Sequence, residues 1–377
     1  MRIFRHAGDV DSLTHAVLGA ALGEMMLGRR MGNRALGWGA LFGILPDLDG
    51  LLVPWLDTAG RLWWHRGPSH SLLVMTVVSF ALAPWLVKLW KRDKISRALA
   101  GWFVFVLWSA HVLIDAFNVY GTSVGWPFYA QRVAFNHLFI IDLFFTMPLL
   151  VAVVWLAFLR TKKQLPKRRR LNAWGLGLAA GYALLSVGMK YVVSAGFDAD
   201  LARRGVTPHR RMEAPTPFNI LLWRSVVDRG DAFWVGYRTV FERDETPVRW
   251  TVYPQGRDAL AGMMDLREVK ALQDFTGGWW IARPHAKGAW VGDLRFDETR
   301  NWGDKKGMVD SRLTFAWSFT PDASGDRLRS LRPARSQPAE TLMRMAARMI
   351  GNRQAWEANP RLAGVTGSLP ECLAVEE

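Results

Sequence analysis

The sequence predicts an all-α polytopic membrane bundle of about six helices followed by a soluble α+β domain. Three observations carry this expectation. Apolar runs long enough to cross a bilayer crowd the first half of the chain, and none follows residue 195. Charge is distributed unevenly: residues 1–200 hold 21 Lys/Arg and 11 Asp/Glu, with the basic residues bunched between apolar runs, whereas residues 201–377 hold 27 and 22, scattered as on a soluble surface. Hydrophobic periodicity also changes after residue 195, from continuous apolar stretches to short aromatic and β-branched runs separated by Gly, Pro and Asp. The expected domains are a membrane-embedded helical domain over 1–195, a linker over 196–225 and a soluble domain over 226–377.

Crossing about 30 Å of hydrocarbon takes roughly 20 helical residues. Six segments approach that length, near 12–28, 34–56, 70–90, 97–119, 136–160 and 171–194. The first carries His15 and Glu24. Its glycines, with Gly37, Gly39 and Gly43 of the second, would let those two helices approach closely. That first run meets Gly28-Arg29-Arg30 and not a small-x-small cleavage site, so the first helix is expected to remain in the mature protein.

Basic residues fill the connections after the first, third and fifth segments, while the second and fourth connections hold only Arg61, Arg66 and Arg132. The positive-inside rule puts the basic connections in the cytoplasm and the C-terminal domain on the periplasmic side of an inner membrane. The net charge of +15 is then read as loop charge that orients a membrane protein, because no basic face is interleaved with a nucleic-acid-binding pattern. The single cysteine, Cys372, has no partner for an intrachain disulfide.

Beyond 195, residues 232–241, 248–254, 279–283, 289–296 and 313–320 read as strands, and 258–275 and 339–357 as helices. Ala214-Pro215-Thr216-Pro217 and the following Phe218–Trp223 read as a linker that returns to the membrane surface in extended form.

Four histidines and three carboxylates stand out within the apolar half. His111 and Asp115 are four positions apart, on one helix face. Asp47 and Asp49 follow Pro46 and cannot share a regular helix face, so the backbone there is expected to be broken, which a wet cavity tolerates. His65 and His70 flank Gly67-Pro68, whose turn would aim both rings inward. With His15, all seven fall at the outer ends of their segments in the assigned topology. A lone interfacial His is more often a hydrogen-bonded anchor and a lone Asp often a helix cap, but ionisable groups within spanning segments are costly and usually functional. A mixed His/Asp set suits zinc first, then manganese or iron, and seven candidates leave room for one or two ions. Glu24 is expected to be merely interfacial, and His137 and Asp142 to be structural. The cytoplasmic halves of the segments read as almost purely apolar.

His15, Pro46-Asp47-x-Asp49, His65-Arg66-Gly-x-Ser69-His70-Ser71 and His111-x-x-x-Asp115 resemble the signature of the bacterial membrane-bound metal-dependent hydrolases, an inner-membrane family with mostly undefined substrates. The resemblance covers roughly residues 10–195, and it implies hydrolysis. More distantly, the ligand set is similar to that of zinc-dependent phospholipase C enzymes. A bound divalent ion would lower the pKa of water, Asp47 or Asp49 would take the water's proton, and Arg66 would hold an anionic substrate oxygen. Ser69 and Ser71 would orient the imidazoles. The expected substrate is a phospholipid or lipid-linked phosphoester reached from the bilayer. The rival expectation is a divalent-metal or proton transporter built on the same cluster.

Overall fold

The computed structural model describes residues 8–362, apart from 130, 286–287, 297, 302–307, 332–337 and 357–358. Cys372 and His6 lie outside the described residues. The chain forms two compact units, Met1–Leu56 with Trp63–Ser186, and Asp57–Leu62 with Val187–Glu377.

The first unit is helical. Its elements are α1 (Gly8–Met31), α2 (Asn33–Ile44), α3 (Thr58–Trp64, shared with the second unit), α4 (Leu72–Leu89), α5 (Arg97–Phe117), α6 (Leu143–Phe158) and α7 (Leu165–Arg203, continuing into the second unit). Four stretches are long and apolar enough to cross a membrane: Asn33–Trp55, Leu72–Leu89, Arg97–Phe117 and Lys162–Arg203. Among the described residues the candidate spans thus number four, fewer than the six expected. Helix α1 has the length but carries Asp9, Asp11, Glu24, Arg29 and Arg30. Helix α6 is apolar but only 16 residues long, because Asp142 caps its start through the Phe144 and Phe145 amides.

Helices α1 and α2 cross at backbone contact. A Cβ on Gly19 would lie 2.4 Å from the Gly39 carbonyl oxygen, and one on Gly43 would lie 2.5 Å from that of His15. Only glycine permits this approach, which is how small residues join helices in a membrane. Beyond Ile44 the chain tightens into 3-10 turns over Leu45–Leu51 and Val53–Trp55, each opened by a proline near its start. Around Trp90, Phe103, Leu86 and Leu107 an apolar core joins α4 and α5.

The second unit contains two four-stranded antiparallel sheets. One is a meander of β1 (Arg210–Pro215), β2 (Leu222–Asp228), β3 (Ala232–Thr239) and β4 (Trp250–Pro254). After α8 (Arg267–Thr276) come β5 (Trp280–His285), β6 (Gly288–Asp293), β7 (Glu298–Asn301), β8 (Met308–Leu313), β9 (Ala316–Phe319) and β10 (Leu328–Leu331). The second sheet has the order β10-β9-β6-β5. Helix α9 (Pro338–Met349) follows, and β11 (Asn359–Leu362) joins β8 and β7 in a smaller three-stranded sheet.

The segment expected to return to the membrane instead makes the β1–β2 turn. The Asn219 side chain accepts the Leu221 and Leu222 amides, at 2.9 and 2.8 Å, and β2 is buried along its whole length. The end of α7 and strands β1 and β2 thus occupy much of the expected 196–225 linker. The second unit also holds the six early residues Asp57–Leu62, at the start of α3. Asp57 receives both guanidinium ends of Arg267, at 2.6 and 3.1 Å, and the Thr58 amide and hydroxyl donate to Asp326 at 2.9 and 2.8 Å.

Candidate metal centre

Three elements of the helical unit bring the chemistry together. Helix α5 presents His111 and Asp115 one turn apart, the 3-10 turn after α2 presents Asp47, and a second 3-10 turn, Pro68–His70, presents His70. The turn before His70 is sharp: Arg66 sits at φ +57°, a region non-glycine residues seldom occupy, and its amide donates to Asp49 at 2.9 Å. A Cβ on Gly67 would meet the Trp63 carbonyl oxygen at 2.7 Å, so glycine is required there.

The inner group is Asp47, His70, His111 and Asp115. His70 Nε2 lies 3.2 Å from His111 Nε2, 3.1 Å from Asp115 Oδ2 and 3.7 Å from Asp47 Oδ1. His111 Nε2 lies 3.4 Å from both Asp47 Oδ1 and Asp115 Oδ2.

The outer hydrogen bonds assign the tautomers. His111 Nδ1 must donate to the Gly43 carbonyl, 2.6 Å away, which leaves Nε2 as a lone pair. The Ser69 hydroxyl donates to Asp49 at 2.8 Å and so accepts from His70 Nδ1 at 2.9 Å, leaving His70 Nε2 as a lone pair too. With both imidazoles neutral, four electron pairs face a common centre, and protonating both would set two cations 3.2 Å apart. A cation resolves the conflict. Ligands about 2.0–2.1 Å from a tetrahedral ion stand roughly 3.3–3.4 Å apart, and the five separations here run from 3.1 to 3.7 Å. The residues fit a divalent metal.

The remaining sequence candidates surround this group. His15 Nε2 contacts Asp115 Oδ1 at 3.1 Å, and its ring stacks on His111 with centroids 3.7 Å apart. Arg66 reaches the same Oδ1 at 3.0 Å and also donates to Asn118. Asp115 therefore has one oxygen held from outside and one facing in. Asp49 accepts from Ser69 and the Arg66 amide and lies 3.1 Å from His65 Nδ1, so it braces the loop. Such outer partners fix ligand orientation. Ser71 has another task than orienting an imidazole: it caps α4 at Val74 and donates to the Trp126 carbonyl.

With this geometry in view, the comparisons with known proteins acquire a location. Residues 10–193 match the model of the YdjM inner membrane protein family. The stretch covers every residue of the inner group. Over 114 residues the chain is 30% identical to the inner membrane protein YbcI of Escherichia coli (strain K12), a match covering 30% of this chain and 64% of that protein. No solved structure matches the chain. The two matches and the apolar helices support a multi-pass inner-membrane protein. Neither matching name carries an activity.

Sequence reasoning missed Arg168. This residue of α7 pairs with Glu24 of α1, Nε to Oε1 at 2.9 Å and Nη2 to Oε2 at 2.5 Å, with both side chains buried. Its Nη1 donates to Asn33 Oδ1 at 2.6 Å and to the carbonyls of Leu156 and Leu159. Glu24 is therefore a buried partner rather than an interfacial residue, and that end of the bundle is not purely apolar. The only hint in the sequence is an acid within an apolar run.

Proposed function

We propose that this protein is a membrane-embedded metal-dependent hydrolase that cleaves a phosphoester of a lipid or lipid-linked substrate. The observation that carries the reading is the inward-facing set of lone pairs on His70, His111, Asp115 and Asp47, three of them anchored and one less so. His70, His111 and Asp115 each have an outer hydrogen-bond partner, while Asp47 contacts only the two imidazoles and has the most exposed side chain of the four. A structural zinc site would be closed, whereas a catalytic one keeps a reachable position.

A divalent cation, zinc first, would be held by His70, His111 and Asp115 with Asp47 beside it, and would supply Lewis acidity that lowers the pKa of water toward neutrality. Asp47, on the accessible side, takes the proton as the water oxygen attacks phosphorus, and it returns that proton to the leaving oxygen as the ester bond breaks. Asp49 is engaged by its own loop, which favours Asp47 as the base. Arg66 acts through Asp115, keeping the carboxylate ionised and oriented, in place of the expected direct hold on substrate.

Exposed apolar side chains beside the site favour an amphiphile. Leu48 and Leu51 share the turn of Asp47, and Trp63 and Trp64 immediately precede His65. The basic run from Arg160 to Arg170, at the start of the Lys162–Arg203 span, favours a cytoplasmic start to that span and so a periplasmic C-terminal domain. Reporter fusions at residues 165 and 230 test that orientation, with opposite sides expected. Purified protein is expected to contain a divalent metal and to turn over members of a lipid-phosphoester panel. His70→Ala and Asp47→Ala should abolish turnover at normal membrane expression, and activity that survives either change or chelation would sink the reading.

The transporter reading gains one supporting observation, the buried Glu24–Arg168 pair in the other part of the bundle. Metal uptake into proteoliposomes distinguishes the two, because the hydrolase reading expects none.

A further inference from the structure

Between α6 and α7 lies an apolar groove of about 580 Å³, lined by Met147, Val151 and Ala152 on one side and Leu171, Trp174 and Leu178 on the other. Its floor is set by Gly175, where a Cβ would meet that of Ala152 at 2.6 Å. Any lipid chain could fill such a groove. What distinguishes this one is its end.

Lys167, Leu171, Trp174 and Leu178 recur at i, i+4, i+7 and i+11, so the stripe of α7 that lines the groove ends, one turn earlier, on a lysine. Arg170 stands one turn before Trp174. Across from them on α6, half-exposed Trp155 follows Val151 by one turn, with Lys167 Nζ 5.8 Å from its ring centroid. Lys167 and Arg170 are exposed, and no Asp or Glu occurs between Asp142 and Asp198. Glu24, packed against this part of α7, is already engaged by Arg168. An apolar channel thus opens onto an aromatic ring and two cations, the arrangement by which basic positions between spanning helices take phosphate headgroups.

We propose that this groove binds an anionic glycerophospholipid, its acyl chain along α6 and α7 and its phosphate against Lys167 and Arg170. The site is separate from the His/Asp centre and independent of the hydrolase reading. From Phe144 to Trp155 the groove wall runs about 16 Å at 1.5 Å per residue, most of the length of one acyl chain. Charge complementarity then selects the headgroup.

The test is native mass spectrometry of the full chain released from detergent micelles, titrated with phosphatidylglycerol or phosphatidylethanolamine carrying identical chains. The wild-type protein should retain phosphatidylglycerol roughly ten-fold better, as two basic side chains near a phosphate predict. Lys167→Gln with Arg170→Gln should reduce that preference to none. Lys162→Gln with Arg169→Gln removes the same charge off the groove stripe and should leave the preference intact. Val151→Trp fills the channel and should lower retention of both lipids. Thermal unfolding of each variant reports whether it remains folded. The proposal is overturned by a wild-type protein without headgroup preference, by a control pair that loses as much as the groove pair, by unchanged retention in Val151→Trp, or by a dimer that occupies the groove and excludes lipid.

Discussion

Two buried polar clusters share the helical unit, and they are built on opposite principles. Around Glu24 the charges balance: one carboxylate meets one guanidinium, and the remaining N–H groups of Arg168 find carbonyl and amide oxygens. Around Asp115 they do not. Asp47, Asp115 and two imidazoles face one another, with a single guanidinium, Arg66, outside the group. A buried cluster complete in its own charges is a strut; one short of positive charge is able to take up a cation from solution. The difference identifies the centre more firmly than the histidine count.

The largest effect should separate the clusters outright. Asp115→Ala removes the carboxylate that both imidazoles face, and divalent metal should then be absent from the purified protein by elemental analysis, while Arg168→Met leaves metal content unchanged. Arg168→Met should instead lower unfolding stability by about 3–5 kcal/mol by stranding Glu24, and a Glu24→Leu/Arg168→Met double variant should recover most of that loss in denaturation. Equal losses in the single and double variants would break the contrast. Next in size is His15→Ala, which removes an outer partner of Asp115 and should weaken metal affinity roughly 10- to 100-fold in a competition titration without abolishing it. A complete loss would make His15 a direct ligand.

The smallest effect lies outside both clusters. The hydrogen bond from Arg267 holds the Asp57 carboxyl below its usual range. The sign follows from the depressed folded-state value: the pair contributes stability above the unfolded carboxylate pKa of about 3.9, and loses it as pH falls through the lower folded value. Arg267→Ala should therefore slightly destabilise the protein at neutral pH, with the difference from wild type vanishing in acid. A difference that grew on acidification would contradict the assignment.

Much of this was legible in the sequence. The apolar runs, the His111–Asp115 spacing and the broken backbone at Pro46 all follow from local periodicity and proline chemistry. Whether an imidazole faces the centre or stands behind it was not legible. His15 and His70 look alike in one dimension, yet His70 turns inward because Ser69 takes its Nδ1, and His15 lies behind Asp115. The Glu24–Arg168 pair spans 144 residues and leaves no local trace. Pro215 and Pro217 suggested a linker because the side-chain turn made by Asn219, which returns the chain into a sheet, cannot be told from composition.

The six residues Asp57–Leu62, five of them in α3, carry a consequence for anyone who would divide this molecule. Their partners, Arg267 and Asp326, come more than 200 positions later, so no single scission separates the two units cleanly. A chain ended at Ser186 would leave Asp57 and Thr58 without those partners, six or more residues ahead of His65. Swapping one C-terminal domain for another at that junction would have to transplant residues 57–62 as well.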